Sequence, residues 1–226
     1  MPNATHHVDA VLSLSWNRRA RNMLASASAD TTVKIWDLSR PTSGDACAAL
    51  RSFGGHTDKV QSVAWHVSAP GLSAGAENPA VLLTGSYDKT IRIFDTRMPE
   101  QALVAGIPAD VEAVRWNGWK DNAFMVALET GVVQGFDARQ LGSAPSNSSA
   151  LFTLMAHDSA CTSLDISPHI PGCLLTAGTD RQVKLWSIDD EQDVKPRSMN
   201  LVVSRDLDAG KVFTASFSPN DPLTVA

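Results

Sequence analysis

The chain is 226 residues long, 43% hydrophobic and 19% charged, with a formal net charge of −5. That balance suits a globular interaction domain and argues against broad, nonspecific phosphate binding. No apolar run is long enough to span a bilayer and no secretory leader precedes Val8, so the chain reads as intracellular.

Taken in chain order, the predicted elements repeat. The first unit opens at His7 with HVDAVLSLSW and continues over residues 24–37 as LASASADTTVKIWD. The second opens at His56 with HTDKVQSVAW and continues over 82–95 as LLTGSYDKTIRIFD. A weaker third unit runs from DVEAVRWN at Asp110 through FMVALETGVVQGFD at 124–137. The fourth opens at His157 with HDSACTSLDI and continues over 174–187 as LLTAGTDRQVKLWS, and a fifth begins at Lys211 with KVFTASFSPN, where one complete strand is expected. Apolar and small or polar residues alternate with period two in VLSLSW, VQSVAW, VEAVRW, VKIW and IRIF, which predicts strands. No segment carries helical periodicity. Polar turns containing Asp30, Asp88 and Asp180 separate the second and third strands of their units, as tight hairpins require. A fourth strand is expected at 47–50, 103–105, 151–154 and 201–203. Five of the six tryptophans follow the period: Trp16, Trp65 and Trp116 are 49 and 51 residues apart, and Trp36 and Trp186 are 150 apart. The first three read as core residues of first strands.

A repeat near 50 residues carrying His, Ser/Thr, Asp and Trp at fixed offsets resembles the WD40 β-propeller, in which each unit is a four-stranded blade. The expected fold is therefore all-β: a single WD40 propeller region over 1–226, with about four complete blades plus part of a fifth and an incomplete ring. The blades are expected at about 7–52, 53–106, 107–155 and 156–204, with a partial one at 205–226. The resemblance implies a structural hydrogen-bond chain of Asp30, His7, Ser26 and Trp36 in the first blade, and of Asp180, His157, Thr176 and Trp186 in the fourth. In the second blade Asp88, His56 and Thr84 match, but Phe94 has no indole N–H to give. The third blade has neither His nor Asp at these places. Carboxylate, imidazole, hydroxyl and indole can satisfy one another in sequence, which explains the residue types.

Ser, His and Asp together also describe an acyl-transfer triad. A triad occurs once, whereas this set recurs with the repeat, and no G-x-S-x-G accompanies it. No catalytic residue, cofactor or small-molecule substrate is expected. Cys47, Cys161 and Cys173 lie far apart with no C-x-x-C pair, so neither a metal nor a disulfide framework is expected. Cys161 and Cys173 read as small core residues; His6, His66 and His169 read as surface residues. Phosphate-cradling glycine motifs are absent from the sequence. Asn3 and Asn147 head glycosylation-type triplets, a pattern frequent by chance.

A closer resemblance rests on TGSYDKTIRIFDTR from Thr84, Trp-Asn after two first strands (Trp16-Asn17, Trp116-Asn117), GCLLTAGTDRQVKLW from Gly172, and the stripped third blade. These features resemble the periodic tryptophan protein 1 family. The resemblance implies a nuclear and nucleolar scaffold in ribosome biogenesis, acting in large-subunit precursor assembly and rRNA processing. Ribosome assembly factors would be its protein partners and pre-rRNA a further candidate. It also implies further blades on both sides, so the chain reads as a fragment whose terminal blades expose unpartnered strands.

Within that reading, Tyr87, Asp58, Lys59, Lys89 and Arg181 flank the Asp turns and histidine loops and are candidates for partner contact. Arg18, Arg19 and Arg21 are candidates for RNA contact. Trp119, off the ladder, is expected to pack under a loop. Four loops, at 39–45, 67–79, 139–149 and 187–200, read as surface connections. The alternative is a nuclear peptide- or chromatin-binding adaptor, such as a histone-tail reader or a ligase substrate receptor.

Overall fold

The computed structural model describes residues 5–39, 48–67, 78–98, 100–142, 150–188, 199–208 and 210–226. Strands form where the sequence alternates, and they assemble into four antiparallel sheets of four strands each. The first comprises β1 (Val11–Trp16), β2 (Met23–Ser28), β3 (Val33–Asp37) and β4 (Arg51–Phe53). The second holds β5 (Val60–Trp65), β6 (Val81–Ser86), β7 (Thr90–Asp95) and β8 (Ala102–Gly106). The third holds β9 (Val111–Trp116), β10 (Ala123–Leu128), β11 (Val132–Asp137) and β12 (Phe152–Met155). The fourth holds β13 (Cys161–Ile166), β14 (Cys173–Gly178), β15 (Gln182–Ile188) and β16 (Met199–Asp206). Each sheet is a meander in chain order, and the first strands β1, β5, β9 and β13 stand side by side. The result is an open arc of propeller blades. The one helical feature among the described residues is a 3₁₀ turn at Ala138–Gln140.

The expected fourth strands are displaced in two blades. Cys47 lies outside the described residues, residues 48–50 are not a strand, and β4 falls on Arg51–Phe53. Phe53 decides this, because its buried ring pairs with Val33 and packs on Phe94 at 5.3 Å between ring centroids. The small residues at 48 and 49 offer nothing comparable to bury. Phe53 therefore belongs to the first blade, and β16 carries the fourth to Asp206. β12 is shifted by one residue from the expected segment. The four loops lie mostly outside the described residues, as do Asn3 and Asn147.

The core is a series of seams between sheets rather than one centre. Ala25, Ala27, Val33 and Ile35 of the first blade meet Val60, Val63 and Trp65 of the second. Leu83, Ile91 and Ile93 meet Val114, Trp116 and Phe124, and Met125 and Val133 meet Leu164 and Leu174. A last seam joins Leu175 and Ala177 to Ala215 and Phe217.

Serines stitch most of these seams at the inner strands. The hydroxyl oxygens of Ser13 and Ser15 accept from the amides of Val63 and Trp65 at 3.4 and 3.0 Å. Ser62 accepts from Val114 at 3.1 Å and Ser163 from Ala215 at 3.1 Å. In β9 the corresponding places hold Ala113 and Arg115. Between the third and fourth blades the polar contacts are instead Arg115 to Asp165 at 3.7 Å and the Trp119 indole to the Ser167 carbonyl at 2.8 Å.

Two expectations about the ends need correction. Trp65 and Trp116 are 3% and 4% exposed, but Trp16 is 53% exposed and is no core residue. No preceding blade covers β1 among the described residues, so Val11 and Leu14 are exposed as well. The fifth unit does not form a complete strand. Its segment docks on the fourth blade through Ser163 and Asp165, and its own pairing is a single bridge between Phe217 and Val225.

Candidate functional site

The conspicuous polar constellations are the three histidine chains, and the structure brings their members together. In the first blade His7 Nδ1 donates to Asp30 Oδ2 at 2.8 Å, Ser26 Oγ lies 2.7 Å from His7 Nε2, and Trp36 Nε1 donates to Ser26 Oγ at 2.8 Å. In the fourth blade His157 Nδ1 lies 2.9 Å from both Asp180 oxygens, and Thr176 Oγ1 lies 2.9 Å from both His157 Nε2 and Trp186 Nε1. Proton placement follows from the ends inward. A carboxylate only accepts and an indole only donates, so Nδ1 carries the imidazole hydrogen and the hydroxyl gives its own to Nε2. In the second blade His56 joins Asp88 and Thr84 at 2.9 Å each. Phe94 fills the indole position as a buried hydrocarbon.

Electrostatics follow the same geometry. Burial alone pushes the Asp30 carboxyl up, but hydrogen bonds from the Thr32 hydroxyl, His7 and the Val8 amide outweigh it and hold the group down at about 2. Asp88 and Asp180 are lowered in the same way, with burial opposing and donors winning. Burial lowers His56 and His157 and outweighs the adjacent carboxylates, so both imidazoles favour the neutral form. None of the three hydroxyls is poised as a nucleophile: each is packed between an imidazole and a strand, with Ser26, Thr84 and Thr176 almost wholly buried.

Sequence reasoning missed the residues that complete the turns. Thr32 and Thr90 donate to Asp30 Oδ1 and Asp88 Oδ1 at 2.6 and 2.7 Å. Ser28 and Ser86 accept the amides of those aspartates at 3.1 and 3.0 Å. The signal was available as Asp-x-Thr in Asp30-Thr31-Thr32 and Asp88-Lys89-Thr90. The residue after each turn aspartate is left-handed, with φ of 66° at Thr31, 61° at Lys89 and 70° at Arg181. In the third blade Gly131 takes this place with φ 81°. A Cβ there would lie 2.1 Å from the His157 carbonyl oxygen, so glycine is required by close approach as well as by φ.

Trp186→Phe would convert the fourth chain to the second blade's form. We expect a loss of about 0.5–1.5 kcal/mol, one ordinary buried hydrogen bond, measured by urea unfolding. Retention of full stability would show the indole link to be idle.

The candidate partner residues share the end of the sheets where the Asp turns lie, with unequal freedom. The Tyr87 hydroxyl makes a short hydrogen bond to Glu112 of the next blade, and Lys59 Nζ stands 3.6 Å from the centre of its ring. Burial, and then Glu112, push the Tyr87 hydroxyl well above its ordinary pKa. Tyr87 is thus a link between blades, whereas Asp58 and Lys89 are exposed. Arg181 is exposed too, 3.5 Å from Asp206. His66 is a correction: it is 8% exposed, packed edge-on to Trp116 at 4.6 Å, and accepts the Asn78 amide. His6 and His169 are exposed. Trp119 is half-buried, and its indole donates to the Ser167 carbonyl in the β13–β14 loop of the fourth blade. Burial pushes the Cys161 thiol up to about 12, and Cys173 is raised for the same reason.

At the opposite end, Arg18, Arg19 and Arg21 are exposed on the β1–β2 loop. Arg18 borders a cleft of about 240 Å³ among the ends of the first strands. Among the described residues no group of three His, Cys, Asp or Glu could hold a metal ion, and no helix is long and apolar enough to cross a membrane.

Four-stranded meanders joined seam to seam, three of the four with an Asp turn locked to a histidine, define a WD40-repeat protein. The WD domain, G-beta repeat family matches residues 2–37, 47–95 and 148–187, leaving out β8 to β11, and the chain belongs to that family. It is 36% identical to periodic tryptophan protein 1 of Saccharomyces cerevisiae over 96% of its length, which is 35% of the yeast protein. An uncharacterized WD repeat-containing protein of Schizosaccharomyces pombe is 42% identical over 97% of this chain and 37% of its own. The Drosophila melanogaster homolog of periodic tryptophan protein 1 is 26% identical over 97% of this chain and 43% of its own. The chain thus spans little more than a third of the first two of these relatives.

Proposed function

We propose that the chain is part of a non-catalytic scaffold in ribosome biogenesis, acting in large-subunit precursor assembly and rRNA processing within the nucleus and nucleolus. Similarity to periodic tryptophan protein 1 over nearly the whole chain carries this reading. The buried polar groups are consistent with it, because each hydroxyl and imidazole is consumed in holding a blade together. Assembly factors are the expected partners, meeting the exposed Asp58, Lys89 and Arg181 at the turn end of the sheets, and pre-rRNA is a further candidate. The test is affinity purification of the full-length protein from nuclei, followed by mass spectrometry. Ribosome assembly factors should dominate the recovered proteins. Recovery of histones or ligase subunits instead would replace this reading with that of a chromatin or degradation adaptor.

A further inference from the structure

The loops after the first strands begin with an asparagine in two blades, Asn17 in the first and Asn117 in the third. Both occupy the same place in the repeat and make the same kind of turn. The Asn17 Oδ1 accepts the Arg19 and Ala20 amides at 3.0 and 2.9 Å, and the Asn117 Oδ1 accepts the Trp119 amide at 3.0 Å. There the likeness ends. Asn17 is buried, its Nδ2 donates to the Pro79 carbonyl at 2.8 Å, and Arg18 follows it. Asn117 is half-buried, its Nδ2 meets no acceptor among the described residues and stays open to solvent, and Gly118 follows it. The Gly118 N–H likewise has no acceptor among the described residues. Asn117-Gly118 is the one Asn-Gly pair in the chain, and blades stand on both sides of it.

We infer that Asn117 is a self-modification site, where the side-chain amide is lost to give aspartate and isoaspartate and the joint between the third and fourth blades loosens as a result. Nucleophile, electrophile and leaving group are all in place. Glycine puts no Cβ beside the attacking amide nitrogen. The Trp119 N–H points at the oxygen that takes up negative charge when Asn117 Cγ becomes tetrahedral, as an oxyanion-hole donor does. The Gly118 nitrogen bonds to Cγ, its proton passes through water to Nδ2, the Cγ–Nδ2 bond breaks and ammonia departs. Water then opens the five-membered imide. Opening at Cγ leaves aspartate, and opening at the main-chain carbonyl carbon leaves isoaspartate, with the chain running through Cβ and Cγ. The other asparagines lack one requirement or another. Asn17 is shut in, Asn22 donates its Nδ2 to Asp37 at 2.6 Å, and Asn78 precedes Pro79, whose nitrogen has no hydrogen to lose. Isoaspartate adds one main-chain atom just ahead of Trp119 and draws its indole off the Ser167 carbonyl, 2.8 Å away. At this seam β9 has Ala113 and Arg115 where other first strands have stitching serines, so no serine bond of that kind takes up the loss.

The test ages the folded 226-residue chain in heavy-oxygen water at mildly alkaline pH and body temperature. Peptide mass spectrometry locates the incorporated oxygen, and chromatography separates the aspartyl from the isoaspartyl peptide. The peptide holding Asn117 should convert severalfold faster than those holding Asn17, Asn22 or Asn200, with isoaspartate among its products. Gly118→Ala should slow the conversion severalfold. Asn117→Ser keeps an oxygen for the Trp119 amide but has no amide to lose, so its peptide should stay unlabelled. The aged chain should melt below the fresh one, and the aged Asn117→Ser chain should melt as it did when fresh. Asn117→Asp, which keeps the ordinary main-chain length, should melt close to the fresh protein. An Asn117 peptide that stays unlabelled in the folded chain, or that converts no faster than Asn17, would overturn the site. An aged, isoaspartate-bearing chain that melts unchanged would overturn its tie to the joint.

Discussion

Thr176→Val is expected to lower the melting temperature about twice as far as Thr84→Val. In the fourth blade the hydroxyl serves two partners, His157 Nε2 and Trp186 Nε1, and its loss orphans both. In the second blade its partners are His56 and, at 3.3 Å, the Arg92 carbonyl, and no indole depends on it because Phe94 stands in that place. Each orphaned buried group costs about 1–3 kcal/mol. A domain of this size shifts by about 2–4 °C per kcal/mol. The expected losses are therefore about 4–24 °C for Thr176→Val and about 2–12 °C for Thr84→Val. His157→Ala should fall at least as far as Thr176→Val, since it strands Asp180 as well as the hydroxyl. Calorimetry on the three variants decides the matter. Equal shifts for the two threonines would mean that the indole link carries no weight.

Acid should unfold the chain in two overlapping stages. His56 and His157 have folded pKa values below the ordinary imidazole value, so their protons bind better to the unfolded chain. Their contribution is complete above pH of about 6.5 and declines as pH falls below it. Asp30, Asp88 and Asp180 are likewise depressed, and their contribution is complete above pH of about 4 and declines towards pH 2. Both sets act in one direction, so the urea midpoint should fall from pH 7 to pH 5 and more steeply from pH 4 downward. Asp30→Asn should flatten the lower limb while leaving the upper limb in place. A midpoint that stays level from pH 7 to pH 3 would refute the account.

Much of the fold was legible because the repeat states the same physical requirement several times. VLSLSW, VQSVAW and VEAVRW each announce a strand by alternation, and each is one. The histidine chains were legible because their members complete one another's hydrogen bonding at fixed offsets. Burial was less legible, because it depends on the neighbouring blade. Trp16 and Trp65 occupy the same place in the repeat and differ by fifty points of exposure, since only Trp65 has a blade in front of it. His66 starts a loop and so reads as a surface residue, but the ring of Trp116 supplies it a wall. β4 was misplaced because a three-residue strand leaves too little alternation to read, and a single buried ring, Phe53, sets its position.

The serine stitches bear on how the arc responds to solution conditions. Hydroxyl-to-amide bonds at Ser13, Ser15, Ser62 and Ser163 are neutral and short in reach, so added salt leaves them alone. The joint between the third and fourth blades has Arg115 and Asp165 in their place, a part-exposed pair of small energy that ions screen. Ionic strength thus bears on one articulation of the arc more than on the rest. Because Arg115 also borders the cleft among the ends of the first strands, whatever draws that guanidinium away from Asp165 loosens the same articulation.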